Sequence, residues 1–164
     1  MNRTLVVMRH AKSSWKTNEA DLNRPLSGRG TRDAVVAGQE LAGTTFDVVL
    51  LSPAQRAAQT WQCLAMNGVA ADDVQLKDEL YHAWTPQVVA LLRDLPPAAG
   101  RVLVVGHEPT VSDLVLTLAG PSPFREQIER KFPTSGLALV TTAGPWTDLG
   151  PGRADLVAFE VPRG

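Results

Sequence analysis

The sequence predicts an α/β fold of three layers, α/β/α, with helices on both faces of a mostly parallel central sheet. Three observations predict it. Short apolar, β-favouring runs alternate with helical patterns at the spacing of βαβ units. The strongest runs, Thr4 to Met8, Asp47 to Leu51 and Arg101 to Val105, read as buried strands rather than half-exposed ones. The 164 residues are enough to enclose one core, and no internal repeat or low-complexity segment divides them. The Pro96-Pro97 pair and the stretch Gly144 to Gly152 are too short and too late to mark a boundary. The expectation is therefore a single domain over residues 1–164.

The elements follow in order. Thr4 to Met8 is the first strand. The polar stretch Ala11 to Leu26, with Asn, Asp, Ser and Pro, reads as a loop. Ser27 is suited to N-cap a helix running to about Leu41, with Gly43 as its stop. After the strand Asp47 to Leu51, Ser52-Pro53 looks like an N-cap followed by proline at the first helical position. That helix runs to Met66 and ends at Asn67-Gly68, and Val74 to Leu76 is a short strand. Thr85-Pro86 opens another helix, stopped by Pro96-Pro97. Arg101 to Val105 is the third strong strand, and Pro109 to Leu118 a helix closed by Gly120-Pro121. Leu137 to Thr142 and Ala154 to Val161 are late strands, expected as an antiparallel edge.

Composition narrows the function. Hydrophobic residues are 44% and charged residues 20%, with a formal net charge of -1. There is no basic excess or basic run, so nucleic acid is not an expected partner. One cysteine, Cys63, excludes an intramolecular disulfide and a multi-cysteine metal site. The apolar run Leu5 to Met8 is too short for a signal peptide, and nothing approaches the roughly 20 residues that span a bilayer. The expected location is cytoplasmic, without a membrane partner.

Ligands of open α/β sheets bind beyond the carboxyl ends of the strands. The first strand ends in Arg9-His10. The second ends in Ser52-Pro53, with Arg56 in the first turn of the following helix. The third ends in Gly106-His107. Two guanidiniums, two imidazoles and a helix start thus converge on one sheet edge, an electropositive pocket suited to phosphate. Each residue alone has a plain structural explanation: His107 as a helix cap, Arg56 as a carboxylate partner. Their joint placement is what points to function. His82 lacks such a placement and reads as a surface residue, while Trp15 is a candidate for the pocket mouth.

These residues also carry a family resemblance. Val7-Met8-Arg9-His10-Ala11 resembles the Arg-His-Gly signature of the histidine phosphatase (phosphoglycerate mutase-like) superfamily. Leu51 to Thr60 resembles its Ser-x-x-x-Arg-Ala-x-Gln-Thr run, and Gly106-His107 its third motif. Asn23 to Gly30, the short length and Gly106 to Val111 are most similar to the SixA-type phosphohistidine phosphatase branch. The resemblance implies a phosphoglycerate mutase-like fold without a large cap insertion. It implies that His10 is the catalytic nucleophile, transiently phosphorylated, and that Arg9, Arg56 and His107 bind the phosphoryl oxygens. It puts Glu79 where larger members carry a carboxylic proton donor, although Tyr81 to Trp84 lacks their glycine-containing context. Ser13 and Lys16 fall in register with phosphate contacts, Lys16 replacing an asparagine, and Ala11 replaces the usual glycine.

The expected activity is a metal-independent phosphatase without cofactor. A zinc site from His10, His82 and His107 is disfavoured, because adjacent arginines would repel the metal and no ligand spacing appears. An attacking histidine must be neutral, so one ring nitrogen should donate to a fixed acceptor, expected to be a backbone carbonyl. A chain with no room for a large insertion should have a shallow pocket. That admits a phosphohistidine on another protein, or alternatively a small phosphomonoester. A non-catalytic phosphate- or phosphoprotein-binding module on the same fold is the third reading. A monomer is favoured.

Overall fold

The computed structural model describes residues 2–164. Its main sheet contains β1 (Arg3–Arg9), β3 (Val48–Leu51), β5 (Val74–Leu76), β6 (Arg101–Gly106), β7 (Leu137–Thr142) and β8 (Asp155–Glu160), in the order β5-β3-β6-β1-β7-β8. The first four of these strands run parallel. β7 is antiparallel to β1, and β8 is antiparallel to β7, as the late position of these strands predicts. Two short strands, β2 (Thr45–Phe46) and β4 (Ala70–Ala71), pair with each other apart from it.

Strand alternation divides the core into two layers. Leu5, Val7, Val48, Leu50, Val102 and Val104 face one side. There they meet α4 (Thr85–Arg93), α5 (Thr110–Leu118) and α6 (Arg125–Arg130) through Val88, Leu92, Leu114, Leu118 and Ile128. Val6, Met8, Val49, Leu51, Leu103 and Val105 face the other side. They meet α1 (Gly28–Glu40) and α2 (Gln55–Met66) through Ala37, Ala57 and Leu64. α1 presents small residues to α2: a Cβ on Gly38 would lie 2.8 Å from the Asn67 Cβ and 3.1 Å from the Leu64 Cα. The two helices therefore approach closely along that face. On the other face Trp146 is buried, and its Nε1–H donates to the Ala99 carbonyl at 2.7 Å.

The expected strands and four main helices are present, with one changed start. Ser52 is not a helix cap. The helix begins at Gln55, Ala54 is its N-cap residue, and no side chain caps it. The Ser52 hydroxyl accepts the Ala54 N–H at 3.2 Å inside a tight turn, which moves the helix two residues on. Elements not anticipated are short: β2, β4, α3 (Glu79–His82) and α6. α6 buries only Ile128 among its six residues, so no apolar period announces it. No helix of the described residues is long and apolar enough to cross a membrane.

Register sets the working edge. Arg9 lies opposite Gly106, and Leu51 opposite Val105. The residues that follow these three strands therefore emerge side by side. β7 contributes to the same edge from its other end, since Leu137 lies opposite Met8.

Candidate active site

His10 leaves β1 just past the sheet edge and is buried, 7% exposed. Its backbone N–H donates to the Gly106 carbonyl at 3.0 Å, and its carbonyl accepts the Ser135 N–H at 3.2 Å. The ring is held as well. Nδ1 lies 2.7 Å from the Ala11 carbonyl, an acceptor only, so Nδ1 carries the hydrogen and Nε2 keeps the free lone pair. A backbone carbonyl is the acceptor that the sequence leads one to expect for this ring. Burial, reinforced by the positive charges of His107, Arg56 and Arg9, pushes the His10 pKa down to about 3. The imidazole is uncharged at neutral pH.

The Ala11 turn is itself tied down by α2. Thr60 Oγ1 accepts the Ala11 N–H at 3.0 Å and donates to the Arg56 carbonyl at 2.7 Å. Gln59 Oε1 accepts the Leu26 N–H at 2.8 Å. The glutamine and threonine of the second motif thus fasten the loop carrying His10 to the helix carrying Arg56.

His107 follows β6, its ring centroid 5.0 Å from that of His10. Its Nε2 is 2.7 Å from the Ser52 hydroxyl, and its Nδ1 is buried without a protein partner. Burial and Arg56 lower its pKa to about 4, with Asp21 opposing. Arg9 donates through Nη1 to the Phe132 carbonyl at 2.9 Å. Arg56 donates through Nη1 to the Asp21 carbonyl and through Nη2 to the Asp21 carboxylate, at 2.7 and 3.1 Å. The Nε–H groups of both arginines are buried with no protein partner. Arg9, Arg56 and His107 thus each keep an unpartnered buried nitrogen, and all three share one pocket with His10. Such an arrangement fits a tetrahedral oxyanion.

These side chains line one pocket of about 230 Å³, together with Ser13, Arg24, Glu108 and Thr134. The structure therefore brings together Arg9, His10, Arg56, His107 and Ser13. It does not bring in the other two. Lys16 is exposed and lines a neighbouring groove with Ser14, Thr17 and Leu26. Glu79 opens α3 and is not among the residues that line the pocket; Glu108 is the carboxylate that does. Lys16 follows Ser13, whose main chain forms a bridge with Leu26. His82 is exposed, as expected, and Trp15 lines the mouth with 75% of its surface open.

Arg24 is the residue that sequence reasoning missed. It is buried, and its guanidinium stacks 3.6 Å from the Trp15 ring centroid. It donates through Nη1 to Ser13 Oγ at 2.7 Å and through Nε to Asp21 at 3.2 Å. Asp21 gathers Arg24, Arg56 and the Tyr81 hydroxyl, which donates to it at 2.6 Å. The Tyr81 bond and the two arginines hold its pKa at about 2. Its signal in the sequence was its place in the Asn23 to Gly30 stretch that carries the branch resemblance, at the end of a polar loop.

Known proteins are similar to this chain in sequence and fold. Residues 5–83 match the model of the histidine phosphatase superfamily (branch 1). An uncharacterized protein of Mycobacterium tuberculosis is 43% identical over 162 residues, 95% of this chain and 100% of its own. A candidate phosphohistidine phosphatase, SixA from Nakamurella multipartitia, superposes with a TM-score of 0.86 at 34% identity, covering 99% of this chain and 97% of its own. The protein histidine phosphatase SixA complexed with tungstate superposes at 0.81 with 26% identity, covering 97% of each chain.

Proposed function

The chain belongs to the histidine phosphatase superfamily, and from that premise we propose that it is a metal-independent phosphohistidine phosphatase working through a phosphorylated His10. One observation carries the reading: an uncharged imidazole with Nε2 free sits among the unpartnered buried nitrogens of Arg9, Arg56 and His107. Phosphate would be gripped by these groups, with Arg24 and Ser13 extending the cradle. Nε2 attacks phosphorus while the cations stabilise the equatorial oxygens. A phosphate dianion favours the charged form of His107, which then donates through Nδ1. Water releases inorganic phosphate from His10 in a second step. The guanidiniums supply the charge that a metal would otherwise supply.

The similarity to SixA proteins supports a protein-borne phosphohistidine as substrate. So does the exposed rim of the pocket at Trp15, where a side chain presented by another protein could rest. Imidazole leaves from phosphorus more readily than an alkoxide and depends less on a proton donor. That suits a pocket that Glu79 does not line. The test pairs a phosphohistidine carrier protein with a panel of small phosphomonoesters, each incubated with wild type and His10→Ala in the presence of a chelator. Phosphohistidine should be the preferred substrate. The enzyme should carry an acid-labile, alkali-stable label that His10→Ala abolishes. Preference for a small phosphate would reassign the substrate, and an unlabelled wild type would remove the nucleophile.

A further inference from the structure

Hydrolysis of a phosphorylated histidine leaves one proton unassigned, that of the attacking water. We propose that Glu108 takes it; this rests on the reading of His10 as the nucleophile. Three carboxylates come into question. Glu79 is not among the pocket-lining residues. Asp21 is committed elsewhere, one oxygen accepting from Arg24 and the other from both Arg56 and Tyr81. Glu108 lines the pocket beside His10 and His107. It also borders the adjoining hollow formed with Tyr81, Trp84 and Thr110. The carboxylate thus stands, half-buried, where the phosphate pocket meets that hollow, whereas His10 is buried. Water attacking in line with the departing Nε2 approaches from the side away from the imidazole.

The carboxylate is held in place with acceptor capacity left over. Oε1 accepts the Ser112 N–H at 2.7 Å, and Oε2 accepts the Ser112 hydroxyl at 2.8 Å. Each oxygen has a second lone pair, so a water can still bond to either. Both Ser112 donors belong to the first turn of α5, a rigid anchor. Arg9 lies close enough for Glu108 to act on its charge. The step balances. Water oxygen bonds to phosphorus, the P–Nε2 bond breaks with its electron pair returning to Nε2, and Glu108 accepts the proton. Inorganic phosphate leaves and the proton passes to solvent.

The experiment separates formation of the phosphoenzyme from its decay, using rapid quench with an aryl phosphate. Glu108→Gln keeps an acceptor for Ser112 and removes the base. Its phosphoenzyme should form within about threefold of the wild-type rate and decay about 100-fold more slowly, so that label accumulates. In Glu108→Ala, added formate should accelerate decay, a rescue that a merely structural role would not show. Decay of the Gln variant within about threefold of wild type overturns the proposal, as do equal losses in formation and decay or an absence of formate rescue. A wild type that never labels His10 overturns the nucleophile reading and this assignment together. A labelled wild type with normal decay in both variants overturns this assignment alone.

Discussion

Replacing Gly30 by alanine tests how the loop bearing His10 is supported. Gly30 lies in the first turn of α1, where Ser27 Oγ accepts its N–H at 3.0 Å. Its Cα rests directly against the Lys12 backbone. A Cβ there would lie 2.8 Å from the Lys12 carbonyl carbon and 2.9 Å from the Lys12 nitrogen, and nearer still to the carbonyl oxygen. Ordinary contact begins at 3.4 Å, so helix and loop must part by about 1 Å. Helix propensity alone would favour alanine by about 1 kcal/mol. The clash decides the sign instead, because both partners are backbone and such overpacking costs about 1–3 kcal/mol. Lys12 directly follows Ala11, whose carbonyl orients the His10 ring. A displacement of about 1 Å there should lower kcat about 100-fold. The assay is kcat on an aryl phosphate together with a thermal melt, in which Tm should fall by about 5 °C. Gly28→Ala is the control on the same helix, since its Cβ would meet only the far end of Arg32 at 3.5 Å. Gly30→Ala with kcat within about threefold of wild type and an unchanged or raised Tm would refute the reasoning.

Four further outcomes are expected. His10 and His107 titrate at about 3 and about 4 when folded, against about 6.5 unfolded, so the unfolded chain binds protons first as pH falls. Stability present above pH 6.5 is therefore lost below it, by about 2 kcal/mol per histidine between pH 7 and pH 5; denaturant melts at the two pH values should show this, and His10→Gln should retain more of its stability across the interval. Asp21→Asn removes the carboxylate shared by Arg24, Arg56 and Tyr81. Because that side chain is 52% exposed, stability should change by under about 1 kcal/mol, while product inhibition by inorganic phosphate should shift several-fold as the arginines lose their set. Thr60→Val leaves the buried Ala11 N–H without its acceptor and should cost about 1–3 kcal/mol, with a matching loss of kcat; an unchanged melt would count against that tether. Glu79→Gln should alter kcat/KM by less than about twofold on phosphohistidine and on alkyl phosphates alike; a larger loss on the poorer leaving group would restore Glu79 as an acid.

Much of this architecture was legible in the chain because it is governed by local chemistry. A run such as Val102 to Val105, buried on both faces, can only be an interior strand, and strands separated by helices run parallel with their carboxyl ends together. That alone carries Arg9, His10, Arg56 and His107 to one edge. Tertiary structure decided which other side chains enter the pocket, and how each ring is held. Arg24 enters because Trp15, Ser13 and Asp21 converge on it, and Ser52 turns to His107 across 55 residues of sequence instead of capping its own helix. Glu108, next to the third motif, lines the pocket, and Glu79, far from any motif in sequence, does not. These choices rest on distances of about 3 Å between segments remote in sequence. Neither periodicity nor spacing encodes such distances; they exist only once the backbone has closed around the site.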